Sequence, residues 1–315
     1  MAKLRVGVIF GGPSNEHDVS VASGKSILKN INRDKYDVTE VFIDKEGKWS
    51  ISGNDTISTD QAVEKLKELI EVALLGLHGT FGEDGHVQAL FDKAGIRYTG
   101  SGSSASKLAF DKQKAQEAYK KSSLPVPDWQ LVSSSDIPSP IDLPVVVKPT
   151  HEGSSVGVSI VKKQDQFSSA VAKALEYGPF AMIQQYIVGV EVSCGVIENP
   201  KPIALTPTEL RPVKDEFFTY EAKYEAGGTN EITPPELDSQ IIDDIKTLSL
   251  KAHKVLGCRG YSRTDMFAVD KQLYLIETNT LPGFTPTSIL PQQAEHDGIR
   301  YTNLLDILIT QARHD

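Results

Sequence analysis

Cysteine is scarce in this chain, with only Cys194 and Cys258 among 315 residues. No CxxC pair exists, which sets aside a zinc ribbon or a thioredoxin-like redox motif. Both thiols sit in apolar surroundings, EVSCGVI and KVLGCRG, and are expected to be buried and free. Long apolar runs are also missing. None reaches the ~18–20 residues that a membrane span requires, so no membrane association is expected. Met1-Ala2-Lys3 leads directly into a strand-like segment without a secretory leader, and the expected location is cytoplasmic. Positive charge is in deficit: 33 Lys and Arg against 42 Asp and Glu leave a net charge of −9. A nucleic-acid partner would need a basic face to neutralise phosphates, so none is expected. Local lysines remain able to serve a small anion.

What is present is ordinary for a soluble enzyme: 39% hydrophobic and 24% charged residues. The length suggests two or three structural units. Leu4–Phe10 (LRVGVIF) is an apolar run stopped by Gly11-Gly12-Pro13 and reads as a buried parallel strand. A helix follows, carrying Val19, Ala22, Ile27, Leu28 and Ile31; then strands near Tyr36–Ile43 and Val72–Leu77 and a helix over Asp84–Ala94. Strands alternating with helices imply βαβ units and a parallel sheet. This unit ends near Gly100. A second unit opens with a long polar helix, Ser104–Lys121, and continues through a Pro- and Ser-rich stretch to Pro144. The strand Val145–Lys148, the loop HEGSSVG (151–157) and the strand Val158–Val161 predict an antiparallel hairpin. A helix near Gln166–Tyr177 and a strand near Phe180–Gln185 follow. The third unit holds strands near Glu191–Ile197 and Ile203–Leu205, a polar loop from Lys214 to Pro235, a periodic helix Glu236–Leu256, strands Asp265–Val269 and Leu273–Ile276, and a tail helix Asn303–Ala312.

Chemistry concentrates first in RTDMFAVDKQLYLIETNTLPG, residues 263–283. Asp265 and Glu277 lie near the outer ends of two strands joined by a turn, and an antiparallel hairpin brings those ends together. Asn279, two residues on, faces the same side as Glu277. Two carboxylates and an amide suit Mg²⁺ held together with nucleotide phosphates; the plainer alternative is a solvated acidic face. The HEGSSVG loop offers backbone N–H groups able to wrap phosphates, with Lys148 just ahead of it as a point charge, although an ordinary mobile hairpin tip is the competing reading. GGPSNEHDVS (11–20) joins the first strand to a helix but lacks the GxGxxG spacing of dinucleotide sites. Glu16 there would repel phosphate yet could hold an ammonium group. In LHGTFGEDG (77–85), His78 falls beyond the carboxyl end of a strand, where open α/β sheets bind ligands; the alternative is a satisfied structural histidine, with Glu83 and Asp84 as first-turn helix carboxylates. YEAKY (220–224) lies in the long polar loop, either as a closing lid bearing Lys223 and Tyr224 or as a solvated loop.

The ordered set GGPSNEHDVS, LHGTFGEDG, YTGSGSSASKLAFDK, VVVKPTHEGSSVG, YEAKY, GCRGYSRTD and IETNTLPGFTPTSILP, spanning residues 11 to 291, resembles the D-alanine–D-alanine ligases, a family of the ATP-grasp fold. The resemblance implies a three-domain α/β architecture, α+β in its ATP-binding half. Residues 1–101 would form a Rossmann-like domain for the first amino acid, 102–186 a central subdomain, and 187–315 a C-terminal subdomain with the metal site and an omega-type loop. It implies ATP and two Mg²⁺ ions (Mn²⁺ as a possible substitute), D-alanine as substrate, a homodimer, and a role in peptidoglycan precursor synthesis. Lys112, Lys148 and Ser155 would hold the phosphates; Gln184, Gln185, Tyr186 and Ile187 would line the adenine pocket; Glu191 would take the ribose. Asp265, Glu277 and Asn279 would ligate metal. Glu16, with His78 nearby, would hold the first ammonium group. Ser154 and Tyr224 would link to Glu16, and Lys223 would touch the transferred phosphate. Arg263 and the Gly283 N–H would stabilise the oxyanion, and Ser288 and Ile289 would receive the second carboxylate.

The chain departs from the family at Gln184, where Glu is common and where the amide carbonyl is expected to accept from the adenine amino group, and at Ile289, where Leu is common. YEAKY is the form associated with D-alanine rather than D-lactate as second substrate. A ligase of another amino-acid pair, such as D-alanine with D-serine, is the neighbouring reading. A non-catalytic nucleotide-binding module on the same fold is the distant one.

Overall fold

A computed structural model describes residues 2–135, 142–212 and 228–314. Three sheets organise it. The first has the order β3-β2-β1-β4-β5, built from β1 (Leu4–Gly11), β2 (Tyr36–Ile43), β3 (Trp49–Ile51), β4 (Val72–Leu75) and β5 (Arg97–Tyr98). Its neighbours run parallel except at the β2–β3 edge. Val6, Val8 and Ile9 of β1 and all of β4 are buried, as expected of a parallel sheet covered on both faces. Helices α1 (His17–Asn30), α2 (Thr59–Leu69) and α3 (His86–Ala94) follow β1, β3 and β4. Strand order reverses between β1 and β4, so the loops leaving their carboxyl ends, residues 12–16 and 76–85, frame the crevice where such sheets bind ligands.

The second sheet, β6-β9-β7-β8, is antiparallel throughout and consists of β6 (Trp129–Val132), β7 (Val145–Pro149), β8 (Ser159–Val161) and β9 (Ala181–Gln185), backed by α6 (Phe167–Leu175). The expected hairpin around HEGSSVG is β7–β8, with Val145 opposite Val161. The third sheet, β13-β12-β10-β14-β15 with β11 beside β10, is also antiparallel. It holds β10 (Val190–Glu198), β11 (Pro202–Ala204), β12 (Thr208–Pro212), β13 (Thr229–Ile232), β14 (Tyr261–Val269) and β15 (Gln272–Asn279), covered by α7 (Ser239–Val255). Helices α8 (Ile289–His296) and α9 (Tyr301–His314) close the chain.

Several expectations change. The single helix over Ser104–Lys121 is two, α4 (Ser103–Phe110) and α5 (Lys112–Lys121). Asp111 ends the first in an extended conformation (φ −79°, ψ 99°) and caps the second, its Oδ1 accepting from Lys114 N at 3.1 Å. Such a side-chain acceptor satisfies one of the orphan donors at a helix start, so the joint is stable where composition alone suggests continuity. Both helices pack on the third sheet rather than the second, through Ala109, Ala115 and Tyr119. Strand β6 occupies part of the Pro- and Ser-rich stretch, and β13 part of the expected 214–235 loop. YEAKY, with Lys223 and Tyr224, lies outside the described residues.

The C-terminal segment returns to the first sheet. Leu304, Leu305, Leu308 and Ile309 of α9 are fully buried in one cluster with β1, β4 and Phe91, and Lys35 pairs with Asp306 at 2.6 Å. Cys194 and Cys258 are buried and free, as expected; burial pushes both thiols up to about 12. Among the described residues no helix is long and apolar enough to cross a membrane.

Candidate active site

Two cavities adjoin. The larger, about 490 Å³, lies where the switch-point loops of the first sheet face the β14–β15 hairpin and the start of α8. Glu16, His78, Ser154, Arg263, Glu277, Asn279, Gly283, Ser288 and Ile289 line it. The smaller, about 130 Å³, lies between the second and third sheets, where Lys148, Ser155, Gln184, Gln185, Tyr186, Ile187, Glu191 and Asp265 meet. Lys112, Glu152, Gly153, Ser154 and Glu277 border both. The residues expected to serve the amino acids thus gather in one cavity, those expected to serve the nucleotide in the other, with Lys112 and Glu277 at the junction.

Glu16 caps α1 by position only, since its side chain makes no cap bond. Its carboxylate instead accepts from Ser154 Oγ, tying the HEGSSVG loop to the first sheet. Ser154 and Ser155 hold this turn at φ 47° and 60°, a left-handed region non-glycine residues seldom adopt. Gly79 must be glycine for space as well as for its φ of +68°: a Cβ there would stand 2.7 Å from Glu16 Oε2.

His78 is fully engaged. Its Nδ1 donates to Leu281 O and its Nε2 accepts from Ser23 Oγ, each at 2.8 Å; the carbonyl partner fixes this tautomer. Burial lowers its pKa despite the nearby Glu16 carboxylate, so the ring is neutral and clamps residue 281 to α1. The structural-histidine alternative describes its bonding, while its position remains on the cavity wall. Glu83 is not a solvated first-turn carboxylate. It is buried on the same wall, accepting from Gly79 N at 3.1 Å. Burial and the neighbouring Glu16 raise its pKa well above the usual carboxylate range. Asp84, by contrast, accepts from Phe81 N and His86 N and shapes the turn before α3.

The β14–β15 register places Asp265 opposite Glu277 and Arg263 opposite Asn279. Asp265 accepts Arg263 Nε and Nη2 at 2.9 and 2.7 Å, Ser193 Oγ at 2.5 Å and Asn279 Nδ2 at 3.2 Å. Burial opposes the Arg263 charge, but Asp265 outweighs it and holds the guanidinium more firmly protonated. Lys112 Nζ pairs with Glu277 at 2.9 Å. Helix α5 braces this hairpin from behind: Gln116 Nε2 donates to Ile276 O at 2.7 Å, and Tyr119 OH to Thr278 Oγ1 at 2.6 Å. Among the described residues no three His, Cys, Asp or Glu side chains form a cation site; the set here is two carboxylates and one amide. That donor chemistry suits a hard cation.

At the far end, Ser288 caps α8 without a side-chain cap bond to its first turn. Its Oγ accepts from Thr285 N at 3.0 Å. A Cβ at Gly283 would approach that Oγ to 3.0 Å. A helix start beside a hydroxyl is a ready carboxylate site.

In the smaller cavity Gln184 is already engaged. Its carbonyl oxygen accepts from Lys148 Nζ at 2.8 Å, and its buried Nε2 has no partner among the described residues. Sequence reasoning also missed Glu152, Glu231, Ser23 and Phe267. Glu152 and Glu231 border the cavities, and burial raises both their pKa values. Phe267 sits two residues beyond Asp265 on the same strand face, a period-2 signal that was available.

A Rossmann-like domain set against two antiparallel sheets that enclose a cavity defines the ATP-grasp class of enzyme. Profiles of the D-ala D-ala ligase N-terminus and C-terminus match residues 5–101 and 119–310. The D-alanine–D-alanine ligase of Leptospira biflexa serovar Patoc is 38% identical, covering 98% of this chain and 100% of that protein. The crystal structure of D-alanine–D-alanine ligase from Bacillus anthracis complexed with ATP superposes with a TM-score of 0.82 at 31% identity, over 99% of this chain and 98% of that one. The VanG D-Ala:D-Ser ligase from Enterococcus faecalis superposes at 0.84 with 26% identity, over 99% and 100%. The chain belongs to the D-alanine–D-alanine ligase family.

Proposed function

We infer that this protein joins two D-alanines to D-alanyl-D-alanine with hydrolysis of ATP to ADP, supplying a peptidoglycan precursor. The observation that carries this reading is the adjacency of the two cavities across Lys112 and Glu277. A carboxylate held in one and a phosphate chain in the other would meet there.

ATP, when bound, supplies the phosphoryl group that converts the first carboxylate into an acyl phosphate, and Mg²⁺ supplies charge neutralisation on the phosphoryl oxygens. The chain's residues do the rest. Glu16 takes the ammonium group of the first D-alanine, oriented by its bond to Ser154. Lys112 and Lys148 lie along the phosphate path, with Ser155 and the loop N–H groups; Lys223, outside the described residues, is the third lysine we assign there. Asp265, Glu277 and Asn279 are the residues that would hold Mg²⁺. Arg263, oriented by its two bonds to Asp265, and the Gly283 N–H stabilise the oxyanion formed when the second amine attacks. Losing one such donor typically costs about 3–4 kcal/mol. Ser288 and Ile289 at the start of α8 receive the second carboxylate. Ile187, Gln185 and Tyr186 border the base, and Glu191 the ribose. Tyr224, outside the described residues, is the residue we assign to link with Glu16 and Ser154 and to keep water from the acyl phosphate.

The three sheets support a division into 1–101, 102–186 and 187–315, with α4 and α5 as a brace for the third unit. We also assign a cytoplasmic location and a homodimeric state, the latter open to sedimentation analysis. The deciding assay measures ADP release with Mg-ATP and D-alanine, then with L-alanine, D-serine and D-lactate, and identifies the product by mass. D-alanyl-D-alanine is expected; absence of turnover with D-alanine would sink the reading, and preferential release of D-alanyl-D-serine would move it to the neighbouring specificity.

A further inference from the structure

Glu231 stands on β13 opposite Leu210 of β12; Leu210 lies opposite Glu191 of β10, and Glu191 opposite Phe267 of β14. Residues paired across a sheet share a face, as do residues two apart along a strand. Glu231 therefore projects from the same face of the third sheet as Arg263, with which it lines the larger cavity. Its Oε2 accepts from Gln292 Nε2, and the same Nε2 donates to Thr287 O at 2.7 Å. The carboxylate is thereby fastened to the start of α8, beside Ser288 and Ile289.

An amino acid arriving there is a zwitterion. Its carboxylate suits the helix start, which leaves an ammonium group to be matched. Among the described residues six carboxylates line the cavity. Glu16 is bonded to Ser154 and serves the first ammonium group. Glu277 pairs with Lys112, and Glu83 keeps its proton. Asp18 faces Lys45 at 3.6 Å, and Glu152 lies on the HEGSSVG loop within the field of Lys112. That leaves Glu231, hydrogen-bonded into α8 itself.

We propose that Glu231 receives the ammonium group of the second amino acid and takes one of its protons, which makes the amine a nucleophile. This rests on the ligase reading of the larger cavity. One N–H bond breaks and an O–H bond forms on Glu231; the freed lone pair forms the C–N bond at the acyl carbon. The C–O bond to the phosphate breaks, and the departing phosphate carries off that electron pair and the second N–H proton. Burial already makes the Glu231 carboxyl hold a proton more tightly than an ordinary glutamate, which narrows the gap to an ammonium group. Glu231 is also exposed on its strand, so the proton has a route to solvent.

The test measures initial rates against D-alanine concentration at saturating Mg-ATP, resolving the first D-alanine from the second, for wild type, Glu231→Gln and Glu231→Asp. Glu231→Gln keeps an oxygen for Gln292 but loses charge and basicity. Its kcat/KM for the second D-alanine is expected to fall by about tenfold or more, with KM for the first D-alanine and for ATP within about twofold of wild type. Glu231→Asp, which retains the carboxylate, should recover part of the loss. A merely structural role would move both D-alanine terms together, and that result overturns the inference. Should Glu231→Gln fail to fold, Gln292→Leu removes the tether and keeps the carboxylate; the second-site term is expected to fall alone, and an unchanged one overturns the inference. Wild-type protein that makes no D-alanyl-D-alanine overturns the ligase reading and this inference with it. Wild-type ligation with an unchanged second-site kcat/KM in Glu231→Gln overturns this inference alone.

Discussion

In the unfolded chain Glu83 ionises near the ordinary glutamate value of 4.5; folded, it is buried beside Glu16 and keeps its proton well above that. The folded state therefore binds more protons once pH exceeds about 4.5, so this residue's contribution to stability declines as pH rises until the folded value is passed. Glu83→Gln retains an oxygen to accept from Gly79 N but does not titrate. Its melting temperature relative to wild type should improve steadily as pH rises above 4.5; a difference that does not change with pH would show that Glu83 is ionised throughout. Ser154 offers a second test at this scale. Ser154→Ala removes the donor to Glu16, and kcat/KM for D-alanine should drop by about tenfold or more, with thermal stability nearly unchanged. Arg263→Lys retains charge but loses the two-pronged contact with Asp265; a fall in kcat of about a hundredfold is expected from stopped-flow or steady-state assays.

Elements set where those residues meet. The β14–β15 hairpin was legible in sequence because its apolar core and the turn at Asp270-Lys271 fix the pairing as far as Met266 opposite Leu275; a register shift between Asp265 and Met266, which the sequence did not announce, then brings Asp265 opposite Glu277. The first sheet was legible because β1 from Val6 onward and all of β4 are buried runs without a charged residue. The split of the 103–121 helix was not, since Asp111 reads as an ordinary polar residue on a polar helix until its cap bond is seen. Nor was the burial of Glu83, which depends on Glu16 arriving from a different loop. Strand β13 was hidden because a short edge strand buries little, and β12, although an inner strand with its first three residues buried, was hidden because its five residues TELRP carry Glu209 and Arg211 and show no apolar alternation. The Asp111 joint carries a prediction. Asp111→Ala deletes the cap of α5 together with the partner of Lys114 and His151; a loss of about 1 kcal/mol, read by urea denaturation, is expected. Because α5 braces β15 through Gln116 and Tyr119, turnover should fall along with stability. Unchanged turnover would show that the hairpin holds its geometry without that brace.

At the scale of the whole molecule, the site is a seam between separately built parts, and what holds the seam is α9. Leu308, wholly buried against the first sheet, is the place to test this: Leu308→Ala should cost about 2–5 kcal/mol, and calorimetry should show the destabilisation in the transition that includes the N-terminal sheet. A variant melting in which only C-terminal signals shift would contradict the packing described.

The Lys35–Asp306 pair joins positions 271 residues apart, and the apolar face of α9 fills a groove formed by the first strands to be made. During synthesis the N-terminal sheet must therefore emerge with one flank bare and wait, its leucine- and valine-rich groove open to the crowded surroundings, until the ribosome has delivered nearly everything else. Closure of that groove is a long-range event of the kind that slows folding and invites chaperone capture. The amino-acid crevice at the β1–β4 switch point thus reaches its final shape only late in the life of the nascent chain, so a ribosome stalled ahead of α9 would leave behind an unclosed sheet rather than a smaller working enzyme.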